Sequence, residues 1–148
     1  MNNQLPISIE VENLCGESYS LHMEKQRILQ ATIDEMEIVR GNETTLLFDL
    51  DGEHELDVFK ARVGILERKG FVPHIVITKS KHSNYHAVVT ITSTSPLEEP
   101  IRIAIQSCLG SDWKREFLGV LRYINNQREV SMLFRPQPLE EVEWTNQK

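Results

Sequence analysis

The run Leu46-Leu47-Phe48-Asp49-Leu50-Asp51-Gly52 constrains this chain more than any other stretch. Three apolar residues lead straight into two carboxylates one residue apart. An apolar run of this kind reads as a buried strand. Alternate residues of a strand share a face, so Asp49 and Asp51 are expected side by side. Two bare carboxylates that close resist joint ionisation. A divalent cation between them removes the repulsion, and hard oxygen donors select Mg²⁺ or Mn²⁺. The plainer alternative is a strand end that runs into a polar turn with both side chains in water.

Composition narrows the classes of function. A chain of 148 residues, 40% hydrophobic and 26% charged, fits one ordinary globular domain. No run is long enough to suggest a membrane span. Met1 to Gln4 lacks the basic region and apolar core of a secretory leader. Cys15 and Cys108 stand far apart, which points to free thiols in a reducing, cytoplasmic setting and gives no zinc motif. The net charge of −6 argues against a protein that coats nucleic acid with a basic surface. It leaves room for an enzyme that grips a short piece of backbone, because metal-binding carboxylates are themselves negative.

Along the chain, Ile7, Ile9 and Val11 alternate with polar residues and suggest an edge strand. Residues 21 to about 40 read as a helix ended by Gly41-Asn42. After the strand at 46–51, apolar spacing predicts a helix over 54 to about 69 that Gly70 stops. Strands are expected over 72–78 and 85–92, helices over 97–109 and 113 to about 123, and a last strand over 130–134. Asp112 is placed to cap the helix that starts at Trp113. The Pro- and Glu-rich tail from Pro136 is expected to fray. This mixture predicts an α+β domain with a central mixed β-sheet flanked by helices.

Four features follow one another and carry chemistry. They are the Asp49-x-Asp51 pair and the basic loop from Thr78 through Lys79, Ser80, Lys81, Ser83 and Asn84 into Tyr85-His86. Then come Leu109-Gly110-Ser111-Asp112, and Arg122 with Asn125, Asn126 and Arg128. In this order they resemble the archaeo-eukaryotic primase (primase-polymerase) superfamily, in the small form found on phages, plasmids and archaeal elements. That family's motifs are Asp-x-Asp at a strand end, a Ser-x-His-like element opening a strand, and an Asp after an apolar helix. Here Ser83-Asn84-Tyr85-His86 is one residue longer than the usual second motif, and no Pro-Gly follows Arg122.

The resemblance covers residues 44–135 and implies an RRM-like catalytic core. An N-terminal strand and helix of unknown role precede it over 1–43, and a tail follows over 136–148. It implies template-directed nucleotide transfer, with Mg²⁺ or Mn²⁺ held by Asp49, Asp51 and Asp112. Lys79, Ser80, Lys81, Ser83, His86 and Arg122 would contact the triphosphate. Nucleoside triphosphates and a single-stranded template would be the partners, with a separately encoded helicase beside them.

Each residue also has a structural reading. Asp112 can simply cap a helix, and His86 can donate one hydrogen bond within the core. Lys79 and Lys81 can be a solvated turn with Ser83 and Asn84. Arg122 can form a surface ion pair of little worth. Two other functions fit the pattern. One is a non-catalytic protein of the same fold that binds nucleic acid or a nucleotide. The other is a phosphatase, because Phe48-Asp49-Leu50-Asp51-Gly52 also resembles the first motif of haloacid dehalogenase-type phosphatases, with Thr78 or Ser80 passing for the second motif and Gly110-Ser111-Asp112 for part of the last. Glu53 stands where that family usually has Thr.

Overall fold

The computed structural model describes residues 21–80, 82, 84–92, 95–127 and 131–144. The alternating segment at 7–11, Lys81, Ser83 and Arg128 lie outside these residues. In chain order the elements are α1 (Leu21–Ile33), β1 (Glu37–Arg40), β2 (Thr45–Leu50), α2 (Glu53–Arg62), α3 (Gly64–Arg68) and β3 (Val72–Lys79). They continue with β4 (Tyr85–Thr92), α4 (Glu99–Cys108), α5 (Trp113–Ile124) and β5 (Met132–Arg135). The α+β class is as expected.

The sheet is not mixed. Among the described residues it is one three-stranded sheet, ordered β2-β4-β3, and a separate ribbon of β1 with β5. Every one of these pairings is antiparallel. β2 and β3 are joined through α2 and α3, and β4 lies between them, which makes a split β-α-β unit.

Alternation along the strands gives the three-stranded sheet two unlike faces. Leu46, Phe48, Leu50, Ala87, Val89 and Ile77 point to one face and are buried. Leu56 and Phe59 of α2, Val63, and Leu66 of α3 complete that core. Phe48 and Phe59 meet with ring centroids 4.9 Å apart at a tilted angle, a favourable aromatic geometry. The other face carries Asp49, His86 and Thr78, and it is the polar one.

Three expectations are corrected. The helix predicted to run to about 40 stops at Ile33, where Met36 N–H closes on Ala31 C=O at 2.8 Å and Glu35 takes a positive φ of 56°. The chain then reverses, and β-branched Ile38 and Val39 join β1, which pairs Glu37 with Arg135 across the ribbon. The segment before residue 44 is thus joined to the core by β1. The helix over 54–69 divides at Val63, where Leu66 N–H reaches back only to Val63 C=O. The tail does not fray through residue 144. Lys79 N–H donates to Glu140 C=O and Val142 N–H to Ile77 C=O, so residues 140–142 run antiparallel along the outer edge of β3. Val142 and Trp144 pack on the core, with Trp144 6.4 Å from the Phe59 ring.

Candidate functional site

The site is built on the outer edge of β2. Leu47 and Asp49 turn their backbone groups away from β4, and no strand receives them. The corner between α4 and α5 does so instead. Leu47 N–H donates to Gln106 Oε1 at 2.9 Å, and Leu47 C=O accepts from Arg115 Nη1 at 3.2 Å. Asp49 N–H donates to Ser111 Oγ at 3.0 Å, and Asp49 C=O accepts from Asp112 N–H at 2.8 Å.

One buried carboxylate organises this edge. Glu116 accepts from Gln106 Nε2 at 2.7 Å, from Ser111 Oγ at 2.9 Å, and from Arg115. Burial pushes the Glu116 carboxyl upward, while Arg115 and the Gln106 and Ser111 donors pull it back. Arg115 also donates to Ser131 Oγ at 2.7 Å and fills the seam between β2 and the start of β5.

Gly110 makes the corner possible. Its φ of +106° is disallowed for most side chains, and a Cβ there would meet Val58 Cγ1 at 3.2 Å. The tight turn drops Ser111 and Asp112 onto β2. Asp112 then caps α5, its carboxylate accepting from Arg115 N–H at a long 3.4 Å.

Asp112 therefore lies beside Asp49, although it comes from far along the chain. Burial pushes the Asp49 carboxyl above its usual range; Arg115 lowers it, and Asp112, Asp51 and Glu116 raise it further. Asp51 falls just past the end of β2, at an exposed position before Gly52. The donor type and the mutual repulsion suit a hard divalent cation. As the side chains stand, however, no three His, Cys, Asp or Glu among the described residues come together closely enough to hold a metal ion.

His86 faces Asp49 directly across β4 and β2. Both backbone groups of Asp49 are turned outward, so this is a non-hydrogen-bonded pair, the kind that brings side chains closest. His86 Nε2 lies 3.7 Å from Asp49 Oδ1. Burial first, then the Arg115 and Arg135 charges, hold His86 down at about 4, so a neutral imidazole faces the carboxylate rather than an ion pair.

The expected triphosphate contacts are only partly gathered. Ser80 lies just past the end of β3, and its N–H closes the loop on Asn84 C=O at 2.8 Å. Lys79 alternates to the opposite side and pairs with Glu140 at 3.1 Å, both half-exposed or more. Arg122 lies near the far end of α5, about 15 Å along the helix axis from Asp112. Arg115 and Arg135 are the guanidinium groups that act on the site. Sequence reading missed Arg115, Glu116, Gln106 and Arg135. The one available hint was Glu116 on the apolar side of α5, where a charge requires a partner.

The phosphatase alternative draws no support from these surroundings. Thr78 is buried, the Ser111 hydroxyl serves β2 and Glu116, and Glu53 accepts from the Tyr85 hydroxyl. No protein-family model matches the chain, and no curated protein or solved structure matches it. No helix among the described residues is long and apolar enough to cross a membrane.

Proposed function

We propose that the chain is a small primase-polymerase-like nucleotidyltransferase of a mobile element, working at the corner formed by Asp49, Asp51 and Asp112. The observation that carries this reading is the hydrogen bond from Asp112 N–H to Asp49 C=O, which brings the third acid of the motif series to the first. The strand order supports it as well. β2 and β3 flank β4 in a split β-α-β unit, an arrangement that an RRM-like core also contains.

To hold Mg²⁺ or Mn²⁺, the Asp49, Asp51 and Asp112 side chains would have to close together from where they stand; the ion would then supply charge stabilisation for phosphoryl transfer. The chain's own groups have separate tasks. Ser111 and Asp112 fix both the N–H and the C=O of Asp49. His86 places Nε2 3.7 Å from Asp49 Oδ1. The loop containing Ser80, Lys81 and Ser83 would meet the triphosphate, and a single-stranded template would lie on the open part of the polar face. A helicase would act as a separate partner.

A second reading is a nucleotide- or nucleic-acid-binding protein without catalysis. It is favoured by the lack, among the described residues, of three donors gathered closely enough for a metal, and by Lys79 and Arg122 standing away from the acids.

The experiment is nucleotide incorporation on primed and unprimed templates with Mn²⁺. Incorporation that Asp49→Ala abolishes supports the enzyme. Binding of single-stranded DNA without incorporation supports the second reading. Release of phosphate from p-nitrophenyl phosphate, with no template activity, overturns both.

A further inference from the structure

The outward side of α5 is apolar where a surface helix is normally polar. Trp113, Phe117 and Ile124 are 59%, 41% and 52% exposed, and Val120 between them is half-buried. The inner side of the same helix buries Leu118, Gly119 and Leu121. Lys114 is the one exposed charged residue of α5, and its ammonium lies 5.9 Å from the centre of the Trp113 ring. A helix with apolar residues on both sides is normally covered on both. No described residue covers the outward side of this one.

The spacing limits what can cover it. Positions 113, 117, 120 and 124 are four, three and four apart, the alternation of a coiled-coil seam. Such a seam takes another helix, whose side chains enter the holes between its own. Four-three-four also reads the same in both directions. A two-fold axis passing between Phe117 and Val120 therefore lays the seam on itself in register. Trp113 of one copy then falls on Ile124 of the second, and Phe117 on Val120, so every level pairs one aromatic with one β-branched residue. Charge favours the same arrangement. Run antiparallel, the two Lys114 ammoniums stand about 13 Å apart along the axis, whereas parallel helices would set them at one level.

We propose that the outward side of α5 is a contact between two copies of this chain, joined antiparallel through the seam at 113, 117, 120 and 124. The area sets its strength. Trp113, Phe117 and Ile124 each leave about half their surface in water, and side chains of this size bury roughly 150–250 Å² when covered. With Val120 and half-exposed Tyr123 the face offers on the order of 400 Å², the size of patch that is often functional on a monomer. A standard interface takes about 800 Å² from each partner. The dimer is therefore reversible, with a dissociation constant in the micromolar range or weaker. The inference is independent of nucleotide transfer and holds equally for a binding protein.

Sedimentation equilibrium of the full chain from about 1 µM to 1 mM tests the association. The expected result is a dimer whose share rises with concentration. Trp113→Glu and Ile124→Glu each set a charge against an apolar level and should weaken it about tenfold or more, while the Leu47 and Asp49 amides stay protected from exchange. The arrangement is read from isotope-filtered NOEs in a mixture of labelled and unlabelled chains. Trp113 and Ile124 lie about 16 Å apart along one helix, so a cross-peak between the Trp113 ring and the Ile124 methyls arises only between copies. Three results overturn the proposal. They are a monomer at every concentration, whether its α5 is bare or covered by another part of the chain; a dimer that survives both charge substitutions; and a dimer without the cross-peak. If Trp113→Glu does not fold, Ile124→Glu and the unaltered chain still decide.

Discussion

The two outer edges of the three-stranded sheet are closed in different ways. At β3, another stretch of backbone does it: residues 140–142 supply ordinary ladder hydrogen bonds. At β2, side chains do it: Gln106, Ser111 and Arg115 take the place of a strand and converge on buried Glu116. A backbone edge is tolerant, because most residues supply the same N–H and C=O. A side-chain edge depends on individual residues, and it carries chemistry to the strand it closes. The candidate site lies at the second kind of edge.

The contrast can be broken at several points, and the largest effect is expected at Glu116. Glu116→Ala leaves the part-buried Arg115 guanidinium without its carboxylate, and breaking a buried ion pair in this way typically costs up to about 3–5 kcal/mol. Denaturant unfolding should show it. Hydrogen exchange should show which edge opens, with the Leu47 and Asp49 amides losing protection while Lys79 and Val142 keep theirs. Equal loss at both edges would end the distinction.

The next effect is one of pH. His86 titrates near 4 in the fold, against 6.5 when unfolded. The stability due to its neutral form is present above pH 6.5 and is lost as pH falls toward 4, in total about 3 kcal/mol. Unfolding free energies across that window should fall with acid, and His86→Gln should remove this component of the slope.

A smaller effect is expected at the backbone edge. Val142→Pro deletes the N–H that bonds Ile77 C=O, at a cost of about 1–3 kcal/mol, and should leave the Leu47 and Asp49 amides protected. The smallest belongs to Lys79→Ala. Its pair with Glu140 is half-exposed or more, so the loss should stay below about 1 kcal/mol in the same unfolding measurement.

Local pattern determined much of this protein. The Leu46-Leu47-Phe48 run makes β2, the Val-, Ile- and Thr-rich stretch makes β4 over its full length, and Asp112 caps the helix that begins at Trp113. These depend on alternation, β-branching and a capping oxygen, which neighbours in sequence decide. Tertiary structure decided the rest. Residues 37–40 become a strand because β5 is there to pair with them, and residues 140–142 line up because β3 has an open edge. Lys79 and His86 end on opposite sides of the sheet because strand alternation separates what the loop sequence placed together. Arg115 and Glu116 matter because the positive φ of Gly110 turns α5 onto β2. A buried charge is stable only with partners, and those partners were brought from distant parts of the chain.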